Sequence, residues 1–250
     1  NQQIKDIENL KIRQYHGLSY NRRPHPHRAW MLGKMKAEGL LNQTAWSWGG
    51  MKMYQEQSLN GMYESAHRQG YLEEHEKDGF MFIVNLDERV FPNEDLSTNK
   101  ADSLNFDHIR NAYFQIVTET YVHNDAVSPF LSEKSYKSFA SGMPFVMWGQ
   151  ANTIHALKAQ NYIPFDDWIN HSYDSIKDDA ERLEAIMKEI KRLYAISSEQ
   201  WSIMLKEMLP VIEHNRYVLS KSSRTQCPGI YIDTLDWNLN LKIGWENHMM

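Results

Sequence analysis

Apolar residues along this chain alternate between two spacings. Short apolar runs at residues 12–20, 44–48, 80–85, 113–118 and 145–148 have strand length. Between them, apolar positions three and four apart predict helices from His27 to a stop at Gly39, around 58–76, over 105–110, from Ser132 to Gly142 and over 153–160. Residues 178–193 and 198–218 are the most strongly periodic stretches, the second kinked or broken at Pro210. Residues 2–11 read as a short polar helix or connector, 165–169 as a short strand or loop, and 235–243 alternate as a terminal strand would. Residues 86–103 are polar and irregular, a loop long enough to border a cleft. Strand and helix in turn predict an α/β chain with a parallel sheet flanked by helices. The expected divisions are a connector at 1–11, a Rossmann-like domain at 12–195 and a helical extension at 196–250 carrying the terminal strand.

Residues 117–149 are the centre of the pattern. A strand ends at Glu119, a polar loop with Pro129 follows, and Ser132 stands where a helix N-cap belongs, with Glu133 and Lys134 in the first turn. Gly142 takes the place of a C-terminal cap and Pro144 precedes the next strand. The positive end of a helix dipole favours anions, so an ammonium there makes little sense for stability and good sense if a phosphate is to be held. Glu119 has two readings: a strand-end carboxylate paired with a neighbour, or a group that binds donor hydroxyls or positions Lys134.

A second strand–loop–helix passage starts at Tyr20. Pro24 and Pro26 delay the helix, and Pro26 suits a first helical position. Arg22, Arg23 and Arg28 place three guanidinium forks within seven residues, donors matched to phosphate oxygens. His25 and His27 have no Cys or carboxylate at metal-ligand spacing behind them, so no metal site is assigned.

Composition narrows the field. The 250 residues, 42% hydrophobic and 12% aromatic, suffice for a sizeable core. A formal charge of -5 argues against broad-faced duplex DNA binding and leaves room for a local basic pocket. The single Cys227 excludes an internal disulfide framework and fits a reducing cytosol. Neither a membrane-spanning run nor a signal-peptide pattern is present, so no membrane partner is expected; the start at Asn1 reads as that of a fragment. The mechanical parts of a P-loop, a dinucleotide fingerprint and a nucleophile elbow are missing.

The ordered set Glu119-Thr120, Ser132-Glu133-Lys134 and the Gly-x-Pro-Phe-Val-x-x-Gly string at 142–149 resembles the donor-nucleotide half of GT-B glycosyltransferases of the α1,3-fucosyltransferase type. Those proteins have Glu-Asn-Ser and Thr-Glu-Lys at the matching places. The resemblance to a group of phage-encoded glycosyltransferases also takes in the string from Tyr20 to Arg28, Phe165 and His171-Ser172-Tyr173-Asp174, over roughly residues 12–195. It implies a nucleotide-diphosphate sugar as donor substrate and no cofactor. Arg22, Arg23, Arg28 and Lys134 would hold the donor diphosphate; Glu119, Ser132 and Glu133 would meet the nucleotide or sugar, with Glu133 on the ribose. It also implies action in the host cytoplasm, with modified DNA as one acceptor class, a role the acidic charge balance weakens.

In the fucosyltransferases the catalytic base comes from an N-terminal acceptor domain, and only about ten residues precede the first strand here. The base is therefore absent from this chain, supplied by a partner chain, or rebuilt from local acids such as those of the 87–102 loop or Glu119, and no catalytic residue is named. The main alternative is a nucleotide-sugar-binding or assembly module without turnover. A hydrolase or epimerase on a similar scaffold is a third reading.

Overall fold

The computed structural model describes residues 2–50, 59–86, 104–124 and 128–221. Four strands, β1 (Tyr15–Ser19), β2 (Thr44–Trp46), β3 (Ala112–Thr118) and β4 (Phe145–Trp148), form one parallel sheet in the order β2-β1-β3-β4. β1 is central: Gly17 pairs with Thr44 on one side and with Phe114 on the other. β3 continues outward to β4, Thr118 opposite Trp148. The chain leaves β1 in one direction for β2 and later resumes at β3 on its other side. That reversal opens a crevice at the carboxyl ends of β1 and β3, the place where open α/β sheets hold ligands.

Helices cover both faces, as the right-handed crossovers of a parallel sheet require. Successive side chains of a strand point to opposite faces. Phe114 stacks on Trp201 of α9 (Ser198–Glu207) and meets Tyr194 of α8 (Asp179–Tyr194) edge-on, while Trp148 lies against Trp30 of α2 (Pro26–Ala37). The neighbouring Gln115 accepts from Ser138 of α6 (Glu133–Ser141), and Met147 contacts Ser135 of the same helix. So α2, α8 and α9 share one face and α6 the other, a Rossmann-like α/β arrangement. Trp48, Trp148 and Trp201 are fully buried in its core.

Local chemistry sets the helix ends. Pro26 opens α2, and the chain leaves that helix through Gly39 at φ 72°. Ser132 caps α6 by accepting from Lys134 N, and Gly142 ends it at φ 65°, where a Cβ would stand 2.8 Å from Arg216 and Ile212. Asp178 caps α8 and Asn105 caps α5 (Phe106–Asn111). The predicted 198–218 helix is two: α9 stops before Met208, and α10 (Leu209–Lys221) holds Pro210 in its first turn, where the missing N–H leaves no helical bond unmade. α1 (Gln2–Glu8) is tied down by Gln3, which donates to Ser141 O and accepts from Arg216 of α10. α3 (Leu59–Arg68) lies in the predicted 58–76 region, and α7 (Thr153–Lys158) within 153–160.

One expectation is overturned. Residues 80–84 belong to a helix, α4 (Lys77–Val84), with Asn85 as its C-cap, and not to a buried strand. A five-residue apolar run does not distinguish the two states. The decisive contact is tertiary: α4 crosses α2 at Gly79 and Gly33, where added Cβ atoms would lie 2.4 Å from Gly33 O and 2.8 Å from Phe80 Cα. The crossing buries Phe80, Ile83 and Val84 on one helical face and leaves Phe82 outside under the Lys36 ammonium. Glu73 and Glu76 form a capping box just before α4. Glu76 then accepts from the fully buried Lys34 at 2.7 and 2.9 Å, and Lys34 also bonds Glu184 of α8. Of the predicted 86–103 loop, residues 87–103 lie outside the described residues, as does the 235–243 strand. No helix among the described residues is long and apolar enough to cross a membrane.

Candidate functional site

The crevice between β1 and β3 deepens into a cavity of about 780 Å³. Its floor is sheet: Leu18 of β1 and Gln115 to Thr118 of β3. The turn after β1 contributes Tyr20, Arg22 and Arg23, the first turn of α2 contributes Arg28, and α6 contributes Glu133, Lys134, Lys137 and Ser141 along one helical face. The opposite wall comes from residues 104–107 and Ile109, at the start of α5. Five cationic side chains line it against the two carboxylates Asp107 and Glu133, so this corner is positive in a chain whose formal charge is -5.

The two cationic walls are built differently. Arg22 and Arg23 are exposed in the turn, whereas Arg28 is buried and braces it: one nitrogen donates to Arg23 O at 3.0 Å and another to Thr118 O at 3.4 Å. The Arg28 guanidinium therefore locks the loop after β1 to the end of β3. On α6, Lys134 Nζ is partly open and contacts Ser132 Oγ at 3.1 Å, Thr120 Oγ1 at 3.3 Å and Glu133 Oε1 at 3.1 Å. Burial alone would raise the Glu133 carboxyl; the Lys134 ammonium, with Lys137 beyond it, outweighs this and holds it below the usual carboxylate range.

Five predicted site residues, Arg22, Arg23, Arg28, Glu133 and Lys134, meet at this one cavity. Glu119 and Ser132 stand behind its wall instead. Glu119 is fully buried, and its carboxylate accepts from Ser132 N at 3.2 Å, Thr120 N at 3.1 Å and the hydroxyls of Ser132 and Ser135. With four donors already on it, the carboxylate fixes the N-terminus of α6 and so fixes Ser132, on which Lys134 rests. Of its two sequence readings, this geometry favours the positioning of Lys134.

Beneath the site, His27 is buried and its Nε2 donates to Glu119 O at 2.9 Å. Burial lowers its pKa to about 3, with the Arg28 charge adding to the effect, so the ring is neutral. His25 stacks on it with centroids 5.4 Å apart and planes 13° from parallel. Among the described residues no group of three or more Cys, His, Asp or Glu is placed to hold a metal ion.

Lys137, Asp107 and the aromatic wall of Tyr20 and Phe106 were not among the predicted site residues. Lys137 follows Glu133 by one helical turn, a spacing that would have placed it beside Lys134. The α5 wall has no such signal, because its approach to α6 is made by the crossover into β3. Comparison of the chain with family models, with curated proteins and with solved structures gives no match.

Proposed function

We propose that this chain is the donor-binding part of a glycosyltransferase of the GT-B kind, acting on a nucleotide-diphosphate sugar. The observation that carries the reading is Lys134, an ammonium held at the N-terminus of α6 and facing a cavity that four other cationic side chains line. Protein cores do not gather like charge for stability; an anion with several charges makes the arrangement favourable. A cavity of about 780 Å³ falls in the ordinary range for small-molecule sites. When a sugar leaves its nucleotide, negative charge grows on the departing diphosphate. Lys134, Arg22, Arg23 and Lys137 would stabilise that charge, while Arg28 and Glu119 keep the two walls in place. The acceptor, with modified DNA bases as one class, comes from the sequence resemblance alone.

A second reading keeps the binding and drops the turnover. It is favoured by Glu119: the strand-end carboxylate nearest the site is saturated with hydrogen bonds and is no base. In that reading the chain is a nucleotide-sugar-binding or assembly module whose acceptor domain lies elsewhere.

Calorimetric titration with UDP, GDP, CDP and ADP tests both. The expected result is micromolar binding of at least one diphosphate, weakened by about 1.5–3 kcal/mol in Lys134→Ala, the loss of a charged hydrogen bond. No binding to the folded wild type would sink both readings for this chain. Binding followed by sugar transfer or hydrolysis separates the enzyme from the module.

A further inference from the structure

β3 carries one amide among apolar and aromatic neighbours, Gln115. The residue is mid-strand and 8% exposed, with its backbone N–H on Pro144 O. Its side chain turns to the α6 face of the sheet, where Ser138 Oγ donates to Oε1 at 3.0 Å. Ser138 is itself fully buried, so the amide is oriented by a partner that water does not reach. Gln115 lines the cavity, and its Nε2 has no hydrogen-bond partner among the described residues. The nitrogen is not closed inside the core as the unpartnered Nε1 atoms of Trp48 and Trp148 are, so the open part of this side chain is cavity surface. A nine-tenths-buried donor without a protein partner needs an acceptor from whatever fills the cavity.

The position of Gln115 says which part of a ligand that is. Thr118 stands three residues further along β3, about 10 Å at the rise of a strand. Along the opposite wall the cavity follows α6 from Glu133 to Ser141, about 12 Å of helix. One end holds Lys134 and the turn of Arg22 and Arg23, with Lys137 between the ends. Asp107, exposed at the start of α5, puts its negative charge on the far wall and disfavours phosphate there. The Gln115 end is apolar: Leu18 is its register partner on β1 and shares a small cluster with Ile109, which Tyr20 and Leu104 border. The Tyr20 ring is held toward α5 by its bond to His108 Nδ1 at 2.8 Å. A nucleotide with its diphosphate at the cationic end therefore lays its base in the apolar end, with the base edge farthest from the ribose toward Gln115.

We propose that Gln115 selects the base of the nucleotide: its Nε2 donates to a ring carbonyl, so the site takes a keto base, uracil or a 6-oxopurine, in preference to cytosine or adenine. Uracil O4 and purine O6 are acceptors at that far edge, whereas cytosine and adenine carry an amino donor there. Two donors would then face each other, and the buried amide would stay unpaired. A site built to bond a polar group rejects an analogue lacking it far more strongly than an apolar pocket rejects a change of size. The inference rests on the donor-site reading above and adds to it a residue and a class of base.

Two pairs of ligands isolate the contact, because UDP and CDP, like IDP and ADP, differ in the group at that edge and share the rest of the nucleotide. Each is titrated calorimetrically into the whole chain, with inorganic pyrophosphate as the probe that has no base. The keto member of each pair that binds is expected to be tighter by about ten- to a hundredfold. In Gln115→Met, which keeps the length of the side chain and removes both amide groups, the preference should fall to within about threefold, with pyrophosphate affinity unchanged. The wild-type pairs answer the question even where the variant fails to fold. Amino bases bound as tightly as keto bases, a preference that survives in folded Gln115→Met, or nucleotides bound no tighter than pyrophosphate would overturn the proposal and leave the anion site standing. Absence of binding by pyrophosphate and all four nucleotides to folded wild type would remove the anion site and this inference together.

Discussion

Two lysines of this protein sit among carboxylates to opposite effect. Lys34 is buried between α2, α8 and the capping box, and its ammonium is shared by both oxygens of Glu76 and by Glu184. Lys134 has one carboxylate, Glu133, and two hydroxyls, and part of its surface faces the cavity. The first cation is closed, with its charge matched inside the fold. The second is held in place while its charge stays available. The first cation holds a packing arrangement together, and the second is the group on which the proposed anion binding depends.

The contrast can be broken most forcefully at Lys34. Lys34→Met leaves Glu76 without its cation in a buried setting, and chemical denaturation is expected to show a loss of about 3–5 kcal/mol. A change below 1 kcal/mol would mean that the closed cluster is no tighter than a surface pair. Protons give the next largest effect, because the floor of the open cluster is itself closed. The His27 ring titrates at about 3 in the folded chain, below an unfolded value near 6.5, so the unfolded state binds more protons between those limits. Stability contributed by the neutral ring is present above pH 6.5 and is lost as pH falls toward 3, by about 1.4 kcal/mol per pH unit. Unfolding of His27→Gln over the same range should lack that component of the slope.

Glu119→Gln probes the link between floor and site. An amide in place of the carboxylate turns one acceptor end toward hydroxyl and N–H donors as a donor, at a cost of about 1–3 kcal/mol in urea midpoint terms. Because Ser132 and Lys134 depend on Glu119, diphosphate binding should weaken in the same variant. The smallest expected effect sharpens the comparison most: Lys134→Ala should change folding stability by less than about 1 kcal/mol, the worth of a partly exposed pair, while it removes most of the binding. Equal losses of stability at Lys34 and Lys134 would erase the distinction between them.

The sequence made some of this visible and hid the rest for definable reasons. β3 and β4 are nearly unbroken apolar runs because both faces are covered, and Ser132 and Gly142 bracket α6 through backbone chemistry that local sequence carries. Lys134 could be picked out because its place in a first turn conflicts with the helix dipole. Residues 80–85 could not be read correctly, since their helical state depends on the contact of Gly79 with Gly33, forty-six positions away. For Glu119, the pattern located a strand end but not the orientation of the carboxylate, which depends on Ser132 and Ser135 folding back over it. The α5 wall was hidden most completely. Residues 105–110 announced a short helix, and nothing in the local pattern announced that it would stand across the cavity from Lys134.

The pairing of β1 with β3 has a consequence for how the chain is made. Tyr15 has its partner at Ala112, and the adjoining β2 is complete by Trp46. A ribosome adding on the order of 5–20 residues per second needs several seconds to pass from the end of β2 to β3. Throughout that interval the central strand has one edge paired and the other open, in a nascent chain whose apolar segments already include α2 and α4. The order of synthesis thus keeps the crevice edge of β1 open until β3 has emerged, and the outer edge of β3 open until β4 follows.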